Sequence, residues 1–209
     1  MSRRALTVII TFLSVTSARA ADMATTAYFS PSLSRESNPL VAYAGFGLPG
    51  LIAVQLCLLS FVIAGLLFYW KAKPVKKLPE SPKNIWDYAS LTYFGRKMSP
   101  GKFLISFLFT APSNKWQLLR LAAFVVSWGA TFFSLCAVFS WWAIYGWHLQ
   151  EYIHLRNYFC IGRQSMLELW VTMLMFVPLT VAFYRLEWSE YRAAKFSGYS
   201  NKPNQKSVS

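Results

Sequence analysis

The residues best suited to bind a metal ion lie close together in one polar stretch, WHLQEYIHLRNYFC. This stretch contains His148, Glu151 and His154, and Cys160 ends it. Imidazole, carboxylate and thiolate groups are common protein ligands of zinc and related metals. On a helix, however, His148 and His154 would point about 120° apart, unlike the i, i+4 pair of a helical zinc site. The three side chains are therefore weak metal candidates, and we predict an ordinary polar loop with no cofactor.

Glu168 is the second candidate, because it stands about one turn inside a long apolar segment. An ionisable group within a membrane-spanning helix often has a function, but its shallow position also fits a carboxylate that reaches water at the boundary. Both interpretations stay open. The rest of the sequence offers no Ser-His-Asp arrangement, no glycine-rich phosphate loop and no pair of neighbouring carboxylates that would indicate catalysis.

The three cysteines differ in their surroundings. Cys57 and Cys136 fall within apolar segments, where a thiol behaves as a small apolar group. Cys160 lies outside these segments and has no partner cysteine in the same loop. A single exposed cysteine on an oxidising side indicates a free thiol or a disulfide between two chains, so Cys160 is a candidate for an intermolecular disulfide.

The composition is that of a membrane protein. The chain has 209 residues, of which 55% are apolar and 14% charged, and its net charge is +13. Soluble domains average about 25% charged residues. The basic residues flank apolar blocks and do not line one soluble face, so they predict membrane topology and argue against nucleic acid as a partner.

The first 20 residues have the pattern of a secretory signal peptide. Arg3 and Arg4 precede a short apolar region, and Ala18-Arg19-Ala20 has the small residues that signal peptidase accepts. We predict cleavage after Ala20, followed by an exported and mostly unstructured arm over residues 21–47. The alternative is an uncleaved signal anchor.

Three longer apolar segments follow, over residues 48–70, 121–145 and 165–184. Each is close to the roughly 20 residues that a helix needs to cross the hydrocarbon core. The predicted fold is therefore an all-α membrane protein with a cleaved signal peptide and three transmembrane helices. Residues 71–120 form one connecting loop, residues 146–164 form the other, and residues 185–209 form the tail.

The distribution of Lys and Arg orients these segments. The 71–120 loop carries ten and the 185–209 tail five, whereas the 146–164 loop carries two and the arm one. Positive charge collects on the cytoplasmic side of a membrane. We therefore predict the amino terminus outside and the carboxyl terminus inside, in the inner membrane of a bacterium, or in the plasma or endoplasmic reticulum membrane of another cell.

The basic 71–120 loop contains a short apolar piece, residues 102–111, between Pro100 and Pro112. It is too short to span a bilayer. We favour a helix that lies in the membrane interface, with neighbouring basic residues reaching anionic lipid headgroups. A re-entrant segment and a docking strip for a partner are the alternatives.

Small residues recur every three or four positions in the first two predicted spans. Such residues let helix backbones approach closely in lipid. We therefore predict that these spans form an antiparallel hairpin along two stripes: Gly50, Ala53, Cys57, Ser60 and Ala64 in one, and Ala123, Ser127, Ala130, Ser134 and Ala137 in the other.

Two functions of different classes remain. The first is a non-enzymatic structural or assembly subunit of a multi-protein inner-membrane complex, such as a secretion, conjugation or respiratory assembly, with other membrane proteins as partners. The second is a small membrane enzyme or carrier that uses Glu168 and the histidines of the outer loop. The lack of a catalytic motif and the packing stripes favour the first, non-enzymatic function.

Overall fold

A computed structural model describes residues 3–33, 45–71, 78–161 and 164–200 of the chain. The described residues are helical except for short connections and two paired two-residue strands, which confirms the predicted all-α class. In chain order, the elements are α1 (Arg3–Phe29), α2 (Leu48–Lys71), α3 (Ile85–Phe94), α4 (Pro100–Phe109), α5 (Lys115–Trp141), a π-helical turn (Trp142–Gly146), α6 (Gln150–Tyr158), β1 (Cys160–Ile161), β2 (Gln164–Ser165) and α7 (Leu167–Ser200).

Four of the described helices are long and apolar enough to cross a membrane. Three of them, Leu48–Lys71, Lys115–Gly146 and Leu167–Lys195, contain most of each predicted span. The fourth candidate span, Arg4–Phe29, takes in the predicted signal peptide. The sequence therefore predicted one membrane-length helix fewer than the structure contains.

The continuity of α1 differs from the expected unstructured arm. The helix passes Ala20 and ends at Phe29. Residues 21–29, ADMATTAYF, hold three alanines and a methionine, which are among the best helix formers, and they outweigh the threonines.

Cleavage after Ala20 and the orientation of the helices stay predictions. Residues 34–44 of the arm, residues 72–77 of the basic loop and residues 201–209 of the tail lie outside the described residues.

The chain divides into two compact units. The first comprises residues 1–70 and 123–179, and the second comprises residues 71–122 and 180–209. In the first unit, Val15 of α1 is buried in one cluster with Val62 and Leu66 of α2. The partly buried Val8 and Leu59 pack against this cluster. Helices α1 and α2 therefore share an apolar contact.

Several hydroxyl groups in the first unit donate to a carbonyl one turn earlier in their own helix. The donors Thr11, Ser127 and Thr131 bond to the carbonyl oxygens of Thr7, Ala123 and Ser127 at 2.8, 2.7 and 3.1 Å. A bilayer interior offers no water to satisfy a polar group. These local bonds let hydroxyls occupy membrane-length helices without a partner from another helix.

In the second unit, α3 is buried on all sides. Residues 88–93 are all less than 5% exposed. The Asn84 side chain accepts a hydrogen bond from the Asp87 N–H at 2.8 Å and so caps the first turn. Gly95 ends the helix in the left-handed conformation, with φ at 68°. Because every face of α3 is covered, its apolar residues need not fall on one stripe.

Helix α4 corresponds to the predicted apolar piece of the basic loop and has two different faces. Phe103 is 2% exposed and contacts the rings of Tyr93 and Tyr184, with centroids 6.4 and 6.1 Å away. Ile105 and Phe109 are 62% and 85% exposed. At 100° per residue, these two lie on the side of the helix opposite to Phe103. One face of α4 therefore packs on its own unit and the other remains uncovered.

Candidate functional site

A buried ion pair joins α5 to α7 in the second unit. Arg120 donates from Nη2 to Oε1 of Glu187, and both side chains are 1% exposed. Gln117 bridges the two: its Nε2 donates to Glu187 Oε2 at 3.0 Å, and its Oε1 accepts from Arg120 Nη1 at 2.9 Å. The Gln117 amide therefore makes a hydrogen bond with one atom of each charged group. The three side chains are linked in a ring of hydrogen bonds.

The start of α5 holds Gln117 and Arg120 in place. The two are three residues apart, so they lie on the same face of the helix. Asn114 precedes the helix, and its Oδ1 accepts from the Gln117 N–H at 3.1 Å. The Tyr93 hydroxyl donates to the Gln117 carbonyl oxygen at 3.2 Å. A helix cap and a contact from α3 therefore fix the first turn of α5 before its side chains reach α7.

Aromatic rings of the second unit pack close to this network. Tyr88 lies 5.5 Å from Trp188 and 5.4 Å from Tyr191, between ring centroids. Tyr93 lies 5.8 Å from Tyr184. Such a packed apolar shell strengthens the attraction between the charges, but it also makes removal of one partner expensive.

The same burial affects the tyrosines of α3. Burial raises the pKa of Tyr88 well above its ordinary value of 10.0, and the neighbouring Glu187 carboxylate raises it further. The pKa of Tyr93 is also raised, first by burial and then by Tyr184 and Glu187. Both hydroxyls therefore keep their protons to a higher pH than a solvent-exposed tyrosine. The chemistry that this arrangement supports is the fixing of helices to each other, since neither charged group reaches solvent.

A second ion pair involves Glu168, the acid that the sequence analysis singled out. Arg156 of α6 lies with its Nε 3.2 Å from Glu168 Oε1. The Tyr152 hydroxyl lies 3.4 Å from the same oxygen. The pKa of Tyr152 is raised, mainly by burial. Glu168 also lies in the first turn of α7, where the helix dipole favours a negative charge. The carboxylate is therefore engaged by partners of its own chain.

The candidate metal ligands do not come together. His148, Glu151 and His154 are all exposed. No group of three or more His, Cys, Asp or Glu side chains in the described part of the chain could hold a metal ion. Cys160 is a free cysteine whose Sγ lies 3.4 Å from the Arg156 carbonyl oxygen. Its proposed disulfide to another chain stays a prediction.

The two small-residue stripes have different environments. In α5, Ser127 and Ser134 are 1% and 0% exposed, and Ala123, Ala130 and Ala137 are partly buried. In α2, however, Ala53, Cys57, Ser60 and Ala64 are all exposed, and Gly50 is partly buried. The α2 contact to α5 lies elsewhere: a Cβ on Gly65 would stand 3.3 Å from that of Ala123. The structure does not bring the two stripes together.

The Arg120–Glu187 network was not predicted from the sequence. The predicted third span ended at residue 184, so Glu187 was assigned to a cytoplasmic tail. One signal was available: Tyr184, Glu187, Trp188 and Tyr191 recur at helical spacing. That pattern indicates that the helix continues past the span with a packed face. Comparison with known protein families, with curated proteins and with solved structures found no match for this chain.

Proposed function

We propose that this chain is a structural or assembly subunit of a multi-protein complex in the bacterial inner membrane, of the class that includes secretion and conjugation assemblies. The observation that supports it is the exposed small-residue face of α2. Its four buried residues, Leu51, Val62, Leu66 and Tyr69, share one side of the helix. At 100° per residue, the exposed stripe of Ala53, Cys57, Ser60 and Ala64 is centred about 180° away from them.

The composition of this α2 face favours a protein helix over lipid as its neighbour. In lipid, association of helices relies on close backbone approach and dispersion, which small side chains allow. A surface that only meets acyl chains has no need of a repeated small residue. The partner on this face is therefore a transmembrane helix of another subunit.

The two ion pairs also support a structural role over the enzyme or carrier. Glu187 is buried with Arg120 and Gln117, and Glu168 is engaged by Arg156 and Tyr152. A carboxylate that acts as a general base has to reach the proton that it removes. Both acids are occupied instead in joining helices.

The orientation belongs to the same proposal. The carboxyl terminus lies inside the cell, and the uncovered face of α4 lies in the inner interface of the membrane. In the same unit, Trp116 and Leu119 at the start of α5 are also 69% and 51% exposed. Lys102 is also exposed and can reach anionic headgroups. This surface gives the second unit an anchor in the lipid.

The α2 face is tested by substitution and copurification. Ala53→Leu and Ala64→Leu add bulk on the face and are expected to lower recovery of copurified membrane proteins at least tenfold from mild detergent. Ile52→Phe adds bulk at another exposed position of the same helix, 43% exposed, and should leave recovery unchanged. Equal recovery with all three variants contradicts the proposal, provided that circular dichroism shows each variant to be folded.

The α4 anchor is tested with spin labels on single cysteines in a background without native cysteines. A label at Ile105 should be more accessible to oxygen, which dissolves in lipid, than to a water-soluble nickel reagent. A label at Glu80, which is exposed in the same unit, should show the reverse. A label at Ile105 that prefers the nickel reagent contradicts an interfacial position.

A further inference from the structure

We propose that α1 stays in the folded protein as a transmembrane helix, packed against α2 and against the small-residue face of α5 at Ser134. This assigns to residues 3–29 a place in the membrane domain in addition to any role in targeting. The inference rests on contacts within the first unit and is independent of the proposed complex.

The buried face of α1 has the spacing of a helix-packing seam. Thr11, Val15, Ala18 and Thr25 are 0%, 1%, 4% and 8% exposed. With the partly buried Asp22, these positions recur every three or four residues, which keeps them on one side of the helix. Most of them are small or carry a hydroxyl, and such residues let two helix backbones approach in lipid. The side of α1 that is buried therefore resembles the small-residue face of α5 in composition.

A polar contact joins these two faces. The Ser134 hydroxyl of α5 lies 3.4 Å from Oδ2 of Asp22. Arg19 lies with Nη1 3.9 Å from the same oxygen, one turn away in α1. Asp22 and Arg19 thus compensate each other's charge inside a membrane-length helix, as intramembrane charges require.

Aromatic rings join the last turn of α1 to the far end of α5. Phe29 lies parallel to Trp141, with ring centroids 6.1 Å apart, and meets Trp142 edge to face at 5.2 Å. Tyr28 stacks on Trp142 at 6.3 Å. From Arg3 to Phe29 the helix is about 40 Å long, at 1.5 Å per residue, which is more than the hydrocarbon thickness. The contacts with α5 therefore extend from Asp22 to the end of α1.

Cleavage after Ala20 would remove half of this packing. Val15 would leave the apolar cluster that it forms with Val62 and Leu66. Asp22 would remain beside Ser134 without the guanidinium of Arg19. Ala20 and Ala21, which flank the predicted cleavage site, also lie within a continuous helix, whereas proteases cut preferentially at irregular segments.

The charges agree with a retained α1. Arg3 and Arg4 begin the helix. If α1 spans the membrane, they fall on the same side as the basic loop and the tail. Together with the 15 basic residues of those segments they make 17 on the inner side, against three on the outer side, Arg35, Arg156 and Arg163. The positive-inside rule is therefore satisfied with four spans and both termini inside.

The test combines intact mass with disulfide trapping in the full chain, carrying a carboxyl-terminal tag and isolated from its native membrane. We expect a mass that includes residues 3–20. In a background without native cysteines, a Val15→Cys, Val62→Cys pair should crosslink on mild oxidation to more than half of the protein. A Leu13→Cys, Val62→Cys pair is the matched control, since Leu13 is 56% exposed, and it should crosslink at least tenfold less.

Each other outcome overturns the inference. A mass that begins at Ala21 shows that α1 is removed. A retained mass with no crosslink above the Leu13 control shows that α1 does not pack as the structure has it. Because neither readout depends on a copurified protein, failure here is distinguishable from failure of the proposed function.

Discussion

Arg120 donates to the carboxylate of Glu187, 67 positions further along the chain, although both side chains are 1% exposed. An ion pair removed from solvent in this way contributes little net stability over an apolar pair of the same volume. The ion pair has a larger effect on which arrangement of the two helices forms, because only one pairing of α5 and α7 satisfies both charges. A displaced helix would bury one of them alone.

The first prediction concerns the cost of burying one of these charges without the other. Glu187→Ala leaves a buried guanidinium and is expected to lower the free energy of unfolding by about 3–5 kcal/mol. Replacing both groups together, by Arg120→Met and Glu187→Leu, should restore most of that loss. The measurement is reversible unfolding in mixed micelles, followed by circular dichroism.

The matched control for that prediction is an exposed ion pair in the same unit. Glu80 Oε2 lies 2.8 Å from Lys97 Nζ, but the two side chains are 59% and 35% exposed. Glu80→Ala should cost much less than Glu187→Ala, because solvent screens an exposed pair. A Glu187→Ala loss no larger than this control would contradict the structural role of the buried pair.

The second prediction concerns alkaline stability. Burial raises the pKa of Tyr88 and Tyr93 above the ordinary 10.0, so the folded chain keeps protons that the unfolded chain releases. Their contribution to stability is therefore complete below about pH 10 and is lost as the pH rises towards the folded pKa values. Unfolding measured against pH should show a decline above pH 10 that is shallower in Tyr88→Phe and Tyr93→Phe. An equally steep decline in the wild type and in both variants would contradict this prediction.

The third prediction is the orientation of the chain. A reporter enzyme fused to the carboxyl terminus should be active only as a cytoplasmic fusion, and a cysteine placed at Ser32 should react with an impermeant reagent from outside. The reason is the division of Lys and Arg, 15 in the loop of residues 71–120 and the tail against three in the arm and the outer loop. Labelling of the carboxyl tail from outside intact cells would refute this orientation. The outcome at Ser32 is the same whether or not α1 is cleaved.

The fourth prediction concerns Cys160, which is free within its chain. We expect non-reducing electrophoresis to show a free thiol or a dimer that Cys160→Ser abolishes. Cys57→Ser, at an exposed position on the α2 face, is the comparison variant. A disulfide from Cys160 to Cys57 or Cys136 of the same chain would disprove the prediction.

Sequence reasoning predicted three of the four membrane-length helices among the described residues, because long apolar runs such as residues 48–70 identify a span by composition alone. It could not decide which face of α2 is buried. Small residues and bulky residues such as Val62 can each form a helix contact in lipid, so the spacing of Ala53 and Ala64 does not choose a partner. In the structure, α1 supplies the apolar contact to Val62, which the sequence did not predict.

The buried network was harder to foresee for a different reason. Gln117 and Arg120 are ordinary residues for the start of a basic, helix-flanking segment, and their meaning depends on where Glu187 lies in three dimensions. A charge becomes informative only once it is known to be buried. The aromatic spacing from Tyr184 to Tyr191 predicts a packed helix face, but it does not reveal which cation faces it.

The π-helical turn at Trp142–Gly146 shows how one extra residue fits into the end of a helix. The Trp147 N–H bonds to the Trp142 carbonyl at 2.7 Å, five residues back, so this turn holds one residue more than an α-helical turn. A Cβ on Gly146 would stand 2.6 Å from Cε3 of the Trp142 ring. Deleting a single residue here would replace the five-residue bond by an α-helical bond between residues four apart, so the segment that follows would keep nearly the same orientation about the helix axis. Gly146, which leaves room for the Trp142 ring, therefore lets the turn hold an extra residue while the chain leaves α5 in nearly the same phase.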